Sequence, residues 1–141
     1  METNGNYGRA NDITFMDAVR TCFNKYADFS GRARRKEYWC FVAFNILVQA
    51  VLSFVGGMIF GSDSSMASSL TGIYSLAVLV PGLAVAWRRL HDVDKSGAFY
   101  FIGLIPVIGW IILLVQMCKD SQPGDNRFGP SPKYPTMNNY Y

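Results

Sequence analysis

Between Glu37 and Asp63 the chain runs for 25 residues without an Asp, Glu, Lys or Arg, and it does so twice more, for 24 residues from Asp63 to Arg88 and for 23 from Lys95 to Lys119. A helix rises about 1.5 Å per residue, so roughly 20 mainly apolar residues cross the ~30 Å hydrocarbon layer of a bilayer. Three such runs in 141 residues, with charged side chains making up only 16% of the whole, leave too little polar surface to coat a soluble domain. The expectation is a small integral membrane protein.

Other classes fall to the same pattern. Disorder requires low hydrophobicity and high net charge, whereas here the formal charge is +3 and 15% of residues are aromatic. Cys22, Cys40 and Cys118 are odd in number and lack the C-x-x-C spacing, which points to small apolar residues with reduced thiols and not to a disulfide framework or zinc. The basic residues flank apolar runs instead of forming a solvated stripe, so no nucleic-acid partner is expected. No metal and no cofactor is expected either.

Residues 1–12 are polar and read as a flexible amino-terminal tail, and residues 13–118 as the membrane domain. Phe15, Val19, Cys22, Phe23 and Tyr26 recur at helical spacing, and Thr14 with Asp17 resembles a capping box, so an amphipathic helix is expected over 14–28. It either lies in the membrane interface or docks on the inner ends of the spans. Arg32, Arg34, Arg35 and Lys36, followed by Tyr38 and Trp39, anchor a first span over about 38–60. Inside it, Asn45, Gln49, Ser53 and Gly57 fall at four-residue intervals and are expected to share one helix-packing face, with a polar solute path as the rival reading. A short outer loop leads to a second span over about 70–87. Its Pro81 frees the Ala77 carbonyl and bends the helix unless a neighbour compensates. The densest ionisable group then follows, with Arg88, Arg89, His91, Asp92, Asp94 and Lys95. A third span is expected over about 99–118, and residues 119–141 form a turn-rich polar tail containing Gly124, Asp125, Asn126 and Arg127.

Seven of the 13 cations precede the first span, none lies between the first two, three lie between the second and third, and three follow. An amino terminus in the cytoplasm therefore keeps ten inside, which the positive-inside rule favours. The side of the carboxy terminus stays open, because Pro106 to Gly109 could break the third run into a re-entrant hairpin.

Three segments together resemble a known family: Gly31 to Trp39 (GRARRKEYW) before the first span, Arg88 to Gly97 (RRLHDVDKSG) after the second, and Gly124 to Pro130 (GDNRFGP) after the last. Over about residues 17 to 133 the chain is similar to the domain of unknown function 805 family of small bacterial inner-membrane proteins. The resemblance implies a multi-pass protein of the bacterial inner (plasma) membrane and carries no agreed activity.

The chemistry of the motifs is thin. His91 with Asp92 and Asp94 could bind a metal or move a proton, but adjacent helical residues do not face one another. The charged residues instead suit a structural network that fixes the helix ends, or contact with anionic lipid headgroups, since Arg grips phosphate in bidentate fashion. The fold expected is an all-α integral membrane helical bundle, with three transmembrane helices preceded by an amphipathic interfacial helix. The function expected is non-catalytic, as an envelope interaction or lipid-contacting accessory protein, with membrane lipids, a second copy or another membrane protein as partners. The alternatives are an oligomeric transporter or channel component and a membrane enzyme acting on lipid headgroups through Arg88, Arg89, His91 and Asp92.

Overall fold

The computed structural model describes residues 13–132, and every described helix follows from a local signal in the sequence. The expected loose segment 1–12 and the end of the tail from 133 onward lie outside the described residues. Helix α1 spans Phe15–Asn24, opened by Thr14, whose hydroxyl accepts from the Asp17 amide at 3.1 Å. It stops short of residue 28 because the Asp28 carboxylate takes the Ser30 amide (3.0 Å) and hydroxyl (2.5 Å) into a turn. Those two bonds also hold the Asp28 carboxyl below its ordinary range. Ala18, Val19 and Cys22 are buried, with Cys22 packed among Ala33, Phe41 and Val85. Helix α1 thus packs its buried face on α2 and α3, while Phe15, Met16 and Phe23 stay exposed.

Helix α2 spans Arg35–Phe60 and ends at Gly61, which takes a positive φ of 91° that suits glycine. The Ser64 hydroxyl accepts from the Met66 amide and starts α3, Ser65–Asp92. The connection between α2 and α3 is therefore Gly61 to Ser64, and α3 is longer at both ends than the 70–87 expected. Pro81 does not end it. The Ala77 carbonyl that a prolyl nitrogen cannot serve accepts from the Tyr26 hydroxyl, so the turn that follows α1 supplies the missing donor.

Both α2 and α3 are long and apolar enough to cross a membrane. Ile46, Phe54, Met58, Ile73 and Leu76 point outward, each at least 64% exposed. An apolar sheath of this kind is stable against acyl chains and not against water.

The third run departs from expectation. Residues 99–118 do not form one helix: a 3-10 segment, Gly97–Leu104, is followed by the 11-residue α4, Ile108–Cys118. Pro106 forces Ile105 into an extended conformation (φ −81°, ψ 112°), and Val107 then sits at φ 65°, ψ −67°, with the Ile108 amide bonded to the Pro106 carbonyl at 2.8 Å. That is a γ-turn with a positive φ, strained for a β-branched residue. It reverses the chain. Gly109 makes the reversal possible, since a Cβ there would lie 1.9 Å from the Ile102 carbonyl oxygen. The Trp110 indole then bonds the Gly103 carbonyl at 2.9 Å and ties the two arms together. Each arm is about 16 Å long, half of a hydrocarbon layer. The expectation of three straight spans is corrected to two long helices and a broken hairpin.

Candidate functional site

Because α2 and α3 are antiparallel and the hairpin returns, the start of α2, the end of α3, the end of α4 and the tail meet at one end of the molecule. Arg32 stands at the hub, 6% exposed. Its Nε donates to Asp92 Oδ1 at 3.1 Å, its Nη1 to the carbonyls of Gly124 (2.8 Å) and Gly129 (3.3 Å), and its Nη2 to those of Asp92 (3.1 Å) and Gln122 (2.5 Å). All five guanidinium donors are used. The Asp92 carboxylate, fully buried, also accepts from Arg89 Nη1 at 2.9 Å and from the Ser121 hydroxyl at 2.5 Å. Arg89, fully buried as well, reaches the Met117 and Lys119 carbonyls. Two guanidiniums thus share one carboxylate, and the excess positive charge faces the carbonyl-rich ends of α3 and α4, where the helix dipoles are negative.

A second pair sits beside it. Arg88, with no exposed surface, donates through Nη1 to Glu37 Oε1 at 2.7 Å, while its Nε and Nη2 make no hydrogen bond to the described residues. The Cys22 thiol lies 3.8 Å from the same carboxylate oxygen. Burial first, and the Glu37 charge second, push that thiol up to about 12, so it stays protonated and unreactive at physiological pH.

The tail closes the end. The Gln122 amide bonds the Asp92 carbonyl (3.0 Å), Asn126 Nδ2 bonds the His91 carbonyl (3.0 Å), and the Phe128 ring stacks on the His91 imidazole at 3.9 Å. His91 Nδ1 is 2.8 Å from the Gly31 carbonyl, so its ring joins the first motif to the third. Asn126 and Gly129 form a tight turn with paired backbone bonds of 3.0 Å, as the Pro- and Gly-rich spacing predicts. Asp125 is exposed just before it, and Arg127, at its tip, pairs with Asp94 at 3.3 Å in solvent.

The expected site residues therefore divide. Arg32, Arg88, Arg89, His91 and Asp92 are buried in the network, so Arg88 and Arg89 do not stand among headgroups; Arg34 is buried too. Arg35 and Lys36 are exposed at the start of α2, and Lys95 lies half-buried with its ammonium 5.9 Å from the centre of the Phe99 ring. The pairing of Arg89 with Asp92 was readable from its three-residue spacing. The Arg32–Asp92 and Arg88–Glu37 pairs span 60 and 51 residues, and only the rule that a buried cation requires a carboxylate hinted at them.

The packing stripe is also revised. Asn45 accepts from the Tyr74 hydroxyl at 2.7 Å and Gln49 donates to Ser75 at 2.7 Å, both across the α2–α3 contact. Ser53 is exposed, Gly57 is half-buried, and Gly56 makes the close approach, with Ala67 Cβ 3.3 Å from where its own Cβ would stand. Each four-residue step advances about 40° beyond a full turn, so by Ser53 the stripe has rotated away, whereas 11 residues, from Asn45 to Gly56, return almost to the same face. Of the cysteines, Cys22 is buried as expected but Cys118 is exposed.

Comparison with known proteins fits this architecture. A family model described as "Protein of unknown function (DUF805)" matches residues 26–130, which contain all three converging motifs. "Inner membrane protein YhaH" of Escherichia coli (strain K12) is 44% identical over 118 residues, covering 84% of this chain and 98% of that protein. "Inner membrane protein YhaI" of the same strain is 46% identical over 119 residues, with the same coverage. Neither name carries an enzymatic activity, and no solved structure matches the chain. With three motifs brought to one place and relatives aligned over nearly their whole length, the chain belongs to the DUF805 family of inner membrane proteins.

Proposed function

We propose that this protein is a non-catalytic, lipid-contacting accessory protein of the bacterial inner membrane, with two spans, a re-entrant hairpin and both termini in the cytoplasm. The observation that carries the reading is the division of charges at the motif end. The carboxylate and guanidinium groups able to do chemistry, Arg32, Arg89 and Asp92, are buried and bonded to one another, while Arg35 and Lys36 remain exposed beside Tyr38 and Trp39. Exposed cations next to interfacial aromatics suit anionic headgroups.

The sidedness is supported by charge counting on this fold. The 61–64 connection holds no cation, so a hairpin that returns the tail puts all 13 cations of the sequence on one side, a stronger bias than ten against three. Reporter fusions at each terminus are expected to be active only as cytoplasmic reporters; an external carboxy terminus would refute this topology. For the lipid reading, phosphatidylglycerol added to the detergent-purified protein should raise Tm at low salt, and phosphatidylcholine should not. Equal shifts from the two lipids would refute it. A second copy remains a partner of the same proposal, through the outward-facing Ser53.

A further inference from the structure

We propose that the cleft between α2, α3 and the 3-10 segment seats one acyl chain of an anionic phospholipid whose phosphate lies against Arg35. This deepens the lipid-contacting reading and rests on it. The cleft is an open groove with room for about 370 Å³, within the ~300–1,000 Å³ of small-molecule sites, and its walls include Phe41, Val42, Gly82 and Leu83. Tyr38 and Tyr100 stand at its charged end, and the Gln49–Ser75 hydrogen bond lies at the other.

From Tyr38 to Gln49 is about 16 Å along α2, the depth of one leaflet in a ~30 Å hydrocarbon layer. Beyond that rung the helices converge, with Gly56 against Ala67. The cleft is therefore a slot one leaflet deep, closed near the middle of the bilayer and open toward the cationic surface. A single hydrocarbon chain is the membrane component slender enough to enter. Gly82 keeps the slot open, because a Cβ there would meet only the Phe41 ring edge, at 3.9 Å.

The headgroup end has matching charge. Arg35 lies three and four residues before Tyr38 and Trp39, on the same helix face, and stays exposed although its Nη1 bonds the Cys118 carbonyl at 3.1 Å. Lys36, two residues before Tyr38, faces away from the cleft, so the positive end of the α2 dipole adds to Arg35 alone.

The test is native mass spectrometry of the full chain released from nanodiscs of phosphatidylcholine with one fifth phosphatidylglycerol, together with Tm shifts on adding either lipid. The unmodified chain should retain one phosphatidylglycerol. Gly82→Leu, which fills the slot, should reduce retention at least tenfold and Arg35→Gln about fivefold, whereas Lys36→Gln, on the far face of α2, should change it less than twofold. Val42→Trp narrows the slot from the opposite wall and serves if Gly82→Leu does not fold. If both slot variants fold and retain phosphatidylglycerol as the parent does, while it still raises Tm, the cleft is not the site although the lipid reading stands. If neither lipid is preferred by the unmodified chain, both fail. A lipid-free dimer that Gly82→Leu dissociates would assign the cleft to a second copy and overturn the proposal.

Discussion

The two ends of the α2–α3 pair are held by different physics. At the end near residues 61–64 the helices meet through small side chains, Gly56 against Ala67, and a four-residue connection. At the charged end, Arg32 alone bonds Asp92 and three tail carbonyls up to 97 residues away. Apart from the Asn45–Tyr74 and Gln49–Ser75 bonds, the apolar shaft fixes register only weakly, because a methyl group has the same environment against a neighbour helix or an acyl chain. A guanidinium with five directed donors has one position that satisfies it. Insertion therefore comes from the shaft and register from the charged end.

The sharpest way to break that comparison is to remove the shared carboxylate. Asp92→Ala leaves Arg32 and Arg89 buried without it and should cost about 3–5 kcal/mol, read as loss of folded protein in detergent. Asp94→Asn, which breaks the solvent-exposed pair with Arg127, should cost under about 1 kcal/mol in the same assay. Equal effects would refute the division between the two ends.

Next in size is the hairpin. Gly109→Ala places a Cβ 1.9 Å from the Ile102 carbonyl oxygen, and the arms must separate, at about 1–3 kcal/mol. Val107→Gly relieves the positive φ and should stabilise the protein by about 1 kcal/mol. Thermal denaturation checks both, and a neutral Gly109→Ala would mean that the third run is not reversed there. In the shaft, Gln49→Leu removes one interhelical bond and should cost about 0.6 kcal/mol, at most roughly 2.

The smallest effect is a titration. With its thiol raised from 9.0 to about 12, Cys22 should resist maleimide at pH 7–9 while exposed Cys118 reacts. In an unfolded chain the Cys22 thiol ionises first, so its contribution to stability is full below pH 9 and is lost as pH rises toward 12. Rapid labelling of Cys22 at pH 8 would show that the charged end opens.

Much of this was legible in the residues themselves. Thr14 marked the start of α1, the charge-free runs marked α2 and α3, and Pro81 marked a carbonyl that needed a partner. Pro106 and Gly109 marked a break whose outcome stayed open. The partners were not legible. Nothing near Pro81 in sequence names Tyr26, and nothing near Asp92 names Arg32, because those contacts depend on where helices lie relative to one another.

The order of charges and apolar residues alone determined that the chain enters a membrane, where its helices begin, and which end collects cations, since these follow from transfer energies and local hydrogen bonding. Only the tertiary structure decided that the third run turns back, that the tail returns to Asp92, and that Arg88 and Arg89 are inside. The reversal rests on a short-range break whose outcome depends on how the two arms pack, and the return of the tail and the burial of Arg32 and Arg88 rest on pairs 51 to 97 residues apart, where a buried charge selects its partner by geometry.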